Sequence, residues 1–470
     1  MSNVKIVIGP PGTGKTTELL NILDKEFEAG VPPDRICFTS FTKKAATEAQ
    51  DRACERFSFE KADLPWFRTL HSLAFSRLGL RREEVMQGKH YREIGRYLNL
   101  VFGTKADIEE GLPTSRFTGD RYTFLDGFAR ARCITAEQAW DQCAGEADEL
   151  NWYEFKRFQA TLKTFKAERN LVDFTDMMEM DQAPLDVDVV IVDEAQDLSS
   201  LQWAYARRIL FNAKRIYIAG DDDQAIFQWS GADVKGFQNL NGSRTVLHQS
   251  HRVPSAVHKV AERIVNQIKH RTPKTYLPKA GVTGSVEYHA SPDDVDLTQP
   301  GTWLLLARNT HLLQQYVGMC RAQGVNYSFR GDPAVNSSHI RSIQAWEARR
   351  AGKPGTYPEA DEYAAPGASK DVIWHEAMTK ISLDEREWYI SMLRRGEKLS
   401  RTPRISIGTI HSVKGGEADN VLLSTDMSAR TWHGAQQDPG AEHRVWYVGC
   451  TRAKQNLHII APTGRMGYEV

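Results

Sequence analysis

A glycine- and proline-rich turn near the start of the chain constrains its fold more than any other feature. Residues 9–16 read Gly-Pro-Pro-Gly-Thr-Gly-Lys-Thr; the β-branched run 4–8 precedes them, and a helix-forming stretch covers residues 15–27. The turn fits the full G-x-x-x-x-G-K-[ST] pattern, in which backbone N–H groups and a helix N-terminus surround a phosphate. This order of strand, loop and helix predicts a parallel α/β fold with a nucleotide site at the end of its first strand.

The same pattern assigns roles to the loop residues. Lys15 is expected to neutralise the β- and γ-phosphates of ATP, and the Thr16 hydroxyl is expected to hold Mg²⁺. The predicted nucleotide-binding residues of this segment are Gly9, Pro10, Pro11, Gly12, Thr13, Gly14, Lys15, Thr16 and Thr17.

An acidic pair after a second apolar run completes the predicted nucleotide site. The run 187–192 is followed by Asp193 and Glu194. Asp193 is expected to hold Mg²⁺ through its water shell, and Glu194 is expected to polarise the attacking water. An alternative explanation of this pair is a helix N-terminus, where acidic residues are also common. Together with the loop, however, the pair indicates hydrolysis of a nucleoside triphosphate.

Five further apolar runs alternate with helical stretches, as in parallel α/β proteins. These predicted strands cover residues 35–39, 215–219, 302–307, 404–407 and 457–460. Residues 78–170 are polar, with helical stretches at 137–145 and 153–168 and no convincing buried strand, so we predict a mostly helical insertion there.

A second interruption lies in the other half of the chain. Residues 351–369 contain six Gly or Pro in nineteen positions and are predicted to form a loop. Residues 372–380 and 383–394 are predicted to form two short helices, and Ser382 and Glu385 have the spacing of a capping box. Apolar residues at helical spacing predict that these helices pack on each other or on the sheet: Trp374, Met378, Trp388 and Met392.

Composition excludes several classes of protein. The 60 basic and 60 acidic residues give a formal net charge of zero, which excludes a wholly basic binder but allows a local nucleic-acid groove. None of the six cysteines has C-x-x-C spacing, so zinc, iron–sulfur and disulfide frameworks are poorly supported. No apolar run approaches the ~20 residues of a membrane span, and no signal peptide is visible. We therefore expect a cytoplasmic protein with no membrane partner.

Eight ordered motifs resemble those of the UvrD/Rep-type superfamily I helicases, and the resemblance extends from Val4 to about Ala461. In chain order the motifs are TSFTKKAA at 39–46, TLHS at 69–72, DFTDMM at 173–178, DEAQD at 193–197, GDDDQAIFQWSGA at 220–232, SHR at 250–252, TIHSVKGGE at 409–417 and YVGCTRA at 447–453.

The resemblance implies two RecA-like lobes with ATP in the cleft between them. The first lobe would supply the phosphate loop, Asp193, Glu194 and Gln224. Arg252 and Arg452 of the second lobe would reach the γ-phosphate as arginine fingers, Glu417 would approach the nucleotide sugar, and His251 replaces the tyrosine that stacks on the base. Taken alone, either arginine would indicate a surface ion pair.

The resemblance also implies a domain division and a DNA track. Residues 1–77 and 171–245 would form the first lobe, 78–170 its helical insertion, 246–346 and 402–470 the second lobe, and 347–401 a small helical insertion. The matching single-strand contacts are Phe41, Thr42, Thr69, His71, Phe227, Trp229 and His411. Aromatic side chains stack on bases without reading sequence. Phe227 and Trp229 as core aromatics, and His71 and His411 as structural histidines, remain alternatives.

The expected function is that of an ATP-dependent motor that moves 3′→5′ along single-stranded DNA and unwinds duplex DNA in replication, repair or recombination. We expect a monomer that binds single strands and single-strand/double-strand junctions. Because His251 replaces tyrosine and only eight residues precede Gly9, leaving no glutamine motif, weak selectivity for ATP is expected. Two alternatives stay open: a translocase that strips proteins or RNA without processive unwinding, and a nucleotide-switched binding module.

Overall fold

A computed structural model of the protein describes residues 3–470 except 42, 104–107, 110–111, 114–116 and 144–149. The chain divides into two compact units. The first contains residues 1–251, 265–280 and 438–445, and the second contains residues 252–264, 281–437 and 446–470.

The first unit is built on a parallel sheet. Its described strands are β1 (Asn3–Ile8), β2 (Ile36–Ser40), β3 (Phe67–Arg68), β4 (Ile108–Glu109), β5 (Leu112–Pro113), β6 (Val189–Asp193), β7 (Arg215–Gly220) and β8 (Ser243–Val246). Six of them form the sheet, in the order β3-β2-β6-β7-β1-β8, with every neighbouring pair parallel. The strands predicted at β1, β2, β6 and β7 are confirmed, whereas β3 and β8 were not predicted.

Both faces of this sheet are buried, which explains the near-continuous apolar runs in the sequence. Successive residues of β1 enter different cores: Ile6 and Ile8 pack on one face, and Val7 packs on the other. A parallel sheet covered on both faces has this pattern because side chains alternate along a strand.

The helices of the first unit flank the sheet and form its insertion. They are α1 (Lys15–Glu28), α2 (Lys43–Phe57), α3 (Leu70–Arg77), α4 (Gly88–Leu98), α5 (Thr118–Arg132), α6 (Ala136–Cys143), α7 (Trp152–Arg169), α8 (Phe174–Met180), α9 (Ser200–Ile209) and α10 (Val234–Gln238). The predicted helical insertion is confirmed, since α4 to α7 lie within residues 78–170 and share an aromatic core that includes Tyr122, Phe155 and Phe158. The short pair β4 and β5 is also found there.

Partly buried charges join the insertion to the rest of the first unit. The Arg130 guanidinium of α5 contacts Asp173 at 2.7 Å and Asp176 at 2.6 Å, and Lys166 Nζ of α7 contacts the same two carboxylates at 2.6 Å. Asp173 also caps α8 by accepting hydrogen bonds from the backbone N–H groups of Thr175 and Asp176. The DFTDMM segment therefore anchors three helices.

The second unit has a larger sheet. Its strands are β9 (Ser285–His289), β10 (Trp303–Ala307), β11 (Tyr327–Phe329), β12 (Asp332–Pro333), β13 (Ile405–Thr409), β14 (Ala418–Ser424) and β15 (Ala453–Ile460). They are ordered β12-β11-β13-β10-β14-β15-β9, and neighbours are parallel except β11 and β12. The predicted α/β class with two parallel-sheet lobes is confirmed. The sequence predicted β10, β13 and the end of β15 but missed β14, an interior strand.

The helices of the second unit include the predicted short pair. They are α11 (Ser255–Val265), α12 (Gln314–Ala322), α13 (Ser337–Arg350), α14 (Trp374–Ala377), α15 (Leu383–Arg394), α16 (Ala429–Gln437) and α17 (Pro439–Cys450), of which α17 begins among residues of the first unit. The helix predicted over 383–394 is confirmed as α15, and Ser382 caps it by accepting from Glu385 N–H. The helix predicted over 372–380 is wrong in length, because the Ala377 carbonyl accepts from Ala365 N–H and the chain turns away after α14.

Residues 347–401 share the apolar core of the second sheet. Trp374, Met378, Trp388 and Met392 are all buried in one cluster with Trp303 of β10. In addition, Trp388 Nε1 donates to the carbonyl of Val325, next to β11, at 3.1 Å. The predicted packing on the sheet is confirmed, and the segment is part of the fold of the second unit. No helix in the described parts of the chain is both long and apolar enough to cross a bilayer.

Candidate nucleotide site and nucleic-acid interface

The loop between β1 and α1 has the backbone that its glycines permit. Gly14 has φ 80° and ψ 31° at the N-terminus of α1, a left-handed conformation that most side chains disfavour. A Cβ on Gly9 would lie 1.9 Å from Lys15 Cγ, so the Lys15 side chain can cross the loop only above a glycine. Thr13 Oγ1 donates to the Pro10 carbonyl at 2.8 Å and tightens the turn.

The parallel register brings the loop beside the acidic pair. Ile8 of β1 is paired with Gly220 of β7, and Val192 of β6 is paired with Ile218 of β7. The carboxyl ends of three strands therefore meet at one edge of the sheet. Gly9 follows the first of these strands, Asp193 ends the second, and Asp221 follows the third.

Lys15 and Glu194 form an ion pair at this edge. Lys15 Nζ lies 3.0 Å from Glu194 Oε1. Burial of Lys15 opposes its charge, yet Glu194, Asp193 and Asp221 together raise the pKa of Lys15 above its ordinary value. The lysine is therefore charged and already directed by carboxylates towards the ends of the strands.

Asp193 lies in an environment that disfavours its own charge. It is 2% exposed. Burial, and then the neighbouring Glu194 charge, raise the pKa of Asp193 to about 7, although Lys15 acts in the opposite direction. A buried carboxylate near other carboxylates suits a divalent cation, because added positive charge would relieve the repulsion. Asp193 therefore fits the expected Mg²⁺, and Thr16 lies in the first turn of α1, directly after the loop.

A chain of side-chain amides fixes the acidic residues. Gln196 Nε2 donates to Glu194 Oε2 at 2.6 Å, and Gln196 Oε1 accepts from Asp221 N–H at 3.0 Å. Gln224 Nε2 donates to Asp221 Oδ2 at 2.7 Å. Gln224 was a predicted site residue. Gln196 was not predicted as a site residue, although it lies in the DEAQD motif at 193–197.

A buried lysine outside every motif neutralises the three aspartates that follow β7. Lys274 is 1% exposed, and its Nζ lies 3.0 Å from Asp221, 2.7 Å from Asp222 and 2.7 Å from Asp223. Burial of Lys274 opposes its charge, but the three carboxylates raise its pKa well above the ordinary value. Arg271 also contacts Asp223 through two nitrogens. Sequence reasoning missed both basic residues because neither lies near a recognisable motif.

The SHR segment supports the phosphate loop through its first two residues. Ser250 Oγ donates to the Pro11 carbonyl at 2.8 Å, and His251 N–H donates to the Gly12 carbonyl at 2.8 Å. The structure thus places His251 next to the loop by its backbone, while its side chain is exposed.

The predicted residues of the second unit form a different cluster. Arg252 Nε lies 2.5 Å from Glu417 Oε2, and Lys454 Nζ lies 3.0 Å from Glu417 Oε1. Burial opposes the Glu417 charge, but Arg252 and Lys454 lower the pKa of Glu417 below its ordinary value. Arg452 is 2% exposed, and its Nε donates to the Val448 carbonyl at 3.0 Å. The structure therefore brings Glu417 together with Arg252, and it holds the Arg452 side chain against the C-terminal end of α17.

Three of the aromatic residues predicted to contact single-stranded DNA lie together in the first unit. The rings of Phe41 and Phe227 are 5.3 Å apart with their planes inclined by 27°, and the rings of Phe227 and Trp229 are 6.3 Å apart, edge to face. All three side chains are partly exposed. Such an aromatic surface can stack on bases. Thr42, predicted beside them, lies outside the described residues.

The other predicted contacts have structural partners. Thr69 caps α3, its hydroxyl oxygen accepting from Ser72 N–H at 3.2 Å. His71 packs edge to face on Phe174 with ring centroids 5.7 Å apart, and burial lowers the pKa of His71. His411 is half-buried in the second unit. Phe174 itself is 60% exposed, and sequence reasoning did not select it although it lies in the DFTDMM motif.

These observations define a P-loop nucleoside triphosphate-binding protein with two parallel-sheet units. The chain belongs to the UvrD/Rep helicase family: residues 1–244 match the UvrD/REP helicase N-terminal domain, and residues 381–463 match the UvrD-like helicase C-terminal domain. The resemblance drawn from the eight motifs is confirmed.

Curated relatives include helicases from several bacteria. The chain is 24% identical over 318 residues to the ATP-dependent DNA helicase PcrA of Leuconostoc citreum, which covers 62% of this chain and 41% of that protein. It is 23% identical over 290 residues to the putative ATP-dependent DNA helicase YjcD of Bacillus subtilis (strain 168), covering 57% and 37%. It is 25% identical over 301 residues to a probable DNA helicase II homolog of Mycoplasma capricolum, covering 58% and 40%. The matches thus span 37–41% of the length of these relatives.

Among solved structures, the arterivirus nonstructural protein 10 helicase aligns with 98% of this chain and 61% of its own, with 13% identity and a TM-score of 0.36. That similarity is too low to support an inference about this fold.

Proposed function

We propose that the protein is an ATP-dependent DNA helicase that moves 3′→5′ along single-stranded DNA. The observation that carries the proposal is the Lys15–Glu194 ion pair beside the buried Asp193, at the carboxyl end of a parallel sheet. Family membership and relatives named as ATP-dependent DNA helicases support the same activity.

In the proposed reaction, Lys15 exchanges partners. The negative charge of a triphosphate in the loop competes with Glu194 for Lys15, and Glu194 is then free to accept a proton from the attacking water. Gln196, which also holds Glu194, keeps the carboxylate directed during this exchange. Thr16 and Asp193 would hold Mg²⁺, which supplies positive charge to the phosphate oxygens when it is bound.

The second unit would contribute positive charge to the same step. Arg252 and Arg452 are the proposed arginine fingers, and they would stabilise charge that develops on the γ-phosphate. Glu417 would position Arg252, because the two side chains are already paired. Gln224, tied to Asp221, would link the nucleotide to the segment that carries Phe227 and Trp229.

Single-stranded DNA would bind the aromatic surface formed by Phe41, Phe227 and Trp229. Stacking on aromatic rings tolerates every base, as a motor that moves along any sequence requires. His71, His411 and Thr42 are proposed as further contacts. Thr69 would act through its cap on α3.

The domain division expected from the motifs is part of this proposal, with one refinement. Residues 347–401 would cover the second sheet and would not form a separate regulatory domain, since their apolar side chains lie in the core of that sheet. We therefore propose a monomer that unwinds short duplexes at single-strand/double-strand junctions.

A pair of assays tests the proposal. ATP hydrolysis is measured with and without single-stranded DNA, and unwinding is measured on duplexes that carry either a 3′ or a 5′ single-stranded tail. We expect stimulation by DNA and unwinding only from the 3′ tail. Hydrolysis without unwinding from either tail, together with displacement of a protein block from the strand, would support a translocase instead. Nucleotide binding without turnover would support a switched binding module.

A further inference from the structure

Two histidines and a glutamate, none of them among the residues proposed for ATP or DNA, meet at the edge of the second sheet. Glu287 and His289 lie on the terminal strand β9, two residues apart, and therefore point to the same face of the sheet. His458 lies on the neighbouring strand β15, directly opposite Glu287 in the parallel register. None of these residues belongs to one of the eight motifs.

The three side chains converge on one point. His289 Nε2 and His458 Nδ1 are 3.1 Å apart, and Glu287 Oε2 lies 3.8 Å from the first and 3.6 Å from the second. A tetrahedral Zn²⁺ ion with bonds of about 2.0–2.1 Å has ligand atoms separated by about 3.3–3.4 Å. The three observed separations lie around that value.

Two further contacts position the side chains of this cluster. The His458 ring stacks on Trp303 with centroids 5.4 Å apart, which fixes its orientation. Ser285 Oγ lies 3.3 Å from Glu287 Oε1 and 3.0 Å from Asn456 Oδ1, and Glu287 Oε2 faces the histidines.

We propose that Glu287, His289 and His458 form a binding site for a divalent transition metal ion, with Zn²⁺ as the preferred occupant. Imidazole and carboxylate ligands in a three-residue set are typical of zinc sites that keep a fourth position for water. The side of the site at Glu287 is exposed and leaves room for that water. A bound ion would fasten the terminal strand β9 to β15.

The competing explanation is a hydrogen bond between the two imidazoles, which the separation of 3.1 Å also allows. In that case one ring nitrogen carries a proton and cannot bind a metal. The two explanations predict different behaviour towards added metal, so they can be separated without reference to ATP hydrolysis.

The test is titration of the metal-free, full-length protein with Zn²⁺ by calorimetry, and with Co²⁺ by visible absorption. We expect one equivalent of bound ion and a cobalt spectrum with no thiolate charge-transfer band, which excludes the six cysteines as ligands. A protein that binds neither ion, or whose cobalt spectrum shows thiolate ligands only, would overturn the proposal in favour of a hydrogen-bonded histidine pair.

Two substitutions assign the site. Glu287→Gln and His289→Asn should each weaken Zn²⁺ binding by at least about tenfold, because each removes a ligand. The matched controls Glu376→Gln and His311→Asn, at exposed positions of the same unit, should leave binding unchanged. His458 is buried and its replacement risks misfolding, so the two accessible ligands carry the test. Unchanged affinity in both Glu287→Gln and His289→Asn would place any bound ion elsewhere and reject this site.

Discussion

Asp193 in the first unit and Glu417 in the second are both predicted nucleotide-site carboxylates. Their environments shift their pKa values in opposite directions. Asp193 is buried next to Glu194, and its pKa rises to about 7. Glu417 is only partly buried between Arg252 and Lys454, and its pKa falls below the ordinary value. The first carboxylate is destabilised by its neighbours, and the second is stabilised by them.

The difference indicates what each carboxylate can do. A carboxylate destabilised by burial and like charge gains when a cation arrives, which is the property of a metal-binding residue. A carboxylate paired with two cations gains little from a third, and its effect is to hold those cations in place. Asp193 is therefore suited to bind Mg²⁺, whereas Glu417 is suited to position Arg252.

The largest expected effect tests the pairing of Arg252 with Glu417 in the second unit. Arg252→Ala should lower DNA-stimulated ATP turnover by roughly 10³- to 10⁵-fold, the range for loss of an arginine finger. Glu417→Gln leaves the Arg252 guanidinium in place and should lower this turnover much less. Steady-state hydrolysis at saturating ATP measures both, with the exposed Arg394→Ala of the same unit as control. If Arg252→Ala stays within tenfold of the natural protein, the Arg252–Glu417 pair is a structural ion pair, as the isolated sequence also allowed.

The next largest effect is expected in the first unit, at Glu194 beside Asp193. Glu194→Gln should reduce turnover by roughly 10²- to 10⁴-fold, because an amide cannot accept a proton from the attacking water. Binding of a fluorescent ATP analogue should persist, since Lys15, Thr16 and Asp193 remain. Glu55→Gln, at an exposed position of α2, is the matched control. Turnover close to that of the control would remove Glu194 as the water-activating group.

Residues of the proposed nucleotide site were easier to select from the sequence than the strands around them. Lys15, Asp193 and Glu194 could be selected because the loop pattern and the strand ends are local features. β14 could not, because its first three residues, Ala418, Asp419 and Asn420, are not a typical strand start and only tertiary burial makes them one. Lys274 could not either, since its contact with three aspartates some fifty positions away depends on the fold.

The same limit applies to the site residues whose partners are distant in sequence. The pairing of Arg252 with Glu417 joins positions 165 residues apart, and no local pattern contains it. The zinc set Glu287, His289 and His458 spans two strands, so a search for C-x-x-C spacing could not reveal it. Local motifs identify the chemistry, and the fold decides which residues hold it in place.

A third prediction separates the charged sites from the surface proposed for DNA. Trp229→Ala should weaken single-strand binding by roughly 1–3 kcal/mol, the value of one base stacked on an aromatic ring. ATP hydrolysis without DNA should change little, because Trp229 is not among the residues proposed to bind the nucleotide. Fluorescence anisotropy with a labelled oligonucleotide measures the binding, and Tyr153→Ala, which removes a side chain that is 82% exposed, is the control. A loss of folded structure in Trp229→Ala, seen in its melting curve, would support the core-aromatic alternative.

The last prediction compares the two carboxylates directly through pH. Between the ordinary pKa of 3.8 and about 7, the folded protein keeps a proton on Asp193 that the unfolded chain has lost. Stability contributed by Asp193 therefore falls as pH rises through this window, by at most about 1.4 kcal/mol per pH unit, and is level above it. Glu417 behaves in the opposite sense: its lowered pKa contributes stability above 4.5 that is lost as pH falls below that value.

Melting temperatures measured from pH 3 to pH 8, without nucleotide or Mg²⁺, check this contrast. Asp193→Asn should reduce the fall in melting temperature that the natural protein shows as pH rises towards 7. Glu417→Gln should reduce only the fall in melting temperature below pH 4.5. Added Mg²⁺ and ATP should also reduce the neutral-side decline, because positive charge beside Asp193 lowers the pKa of its carboxyl. If the two substitutions change the same limb of the profile, the opposite shifts that distinguish the first site from the second do not exist, and the assignment of the metal to Asp193 loses its physical basis.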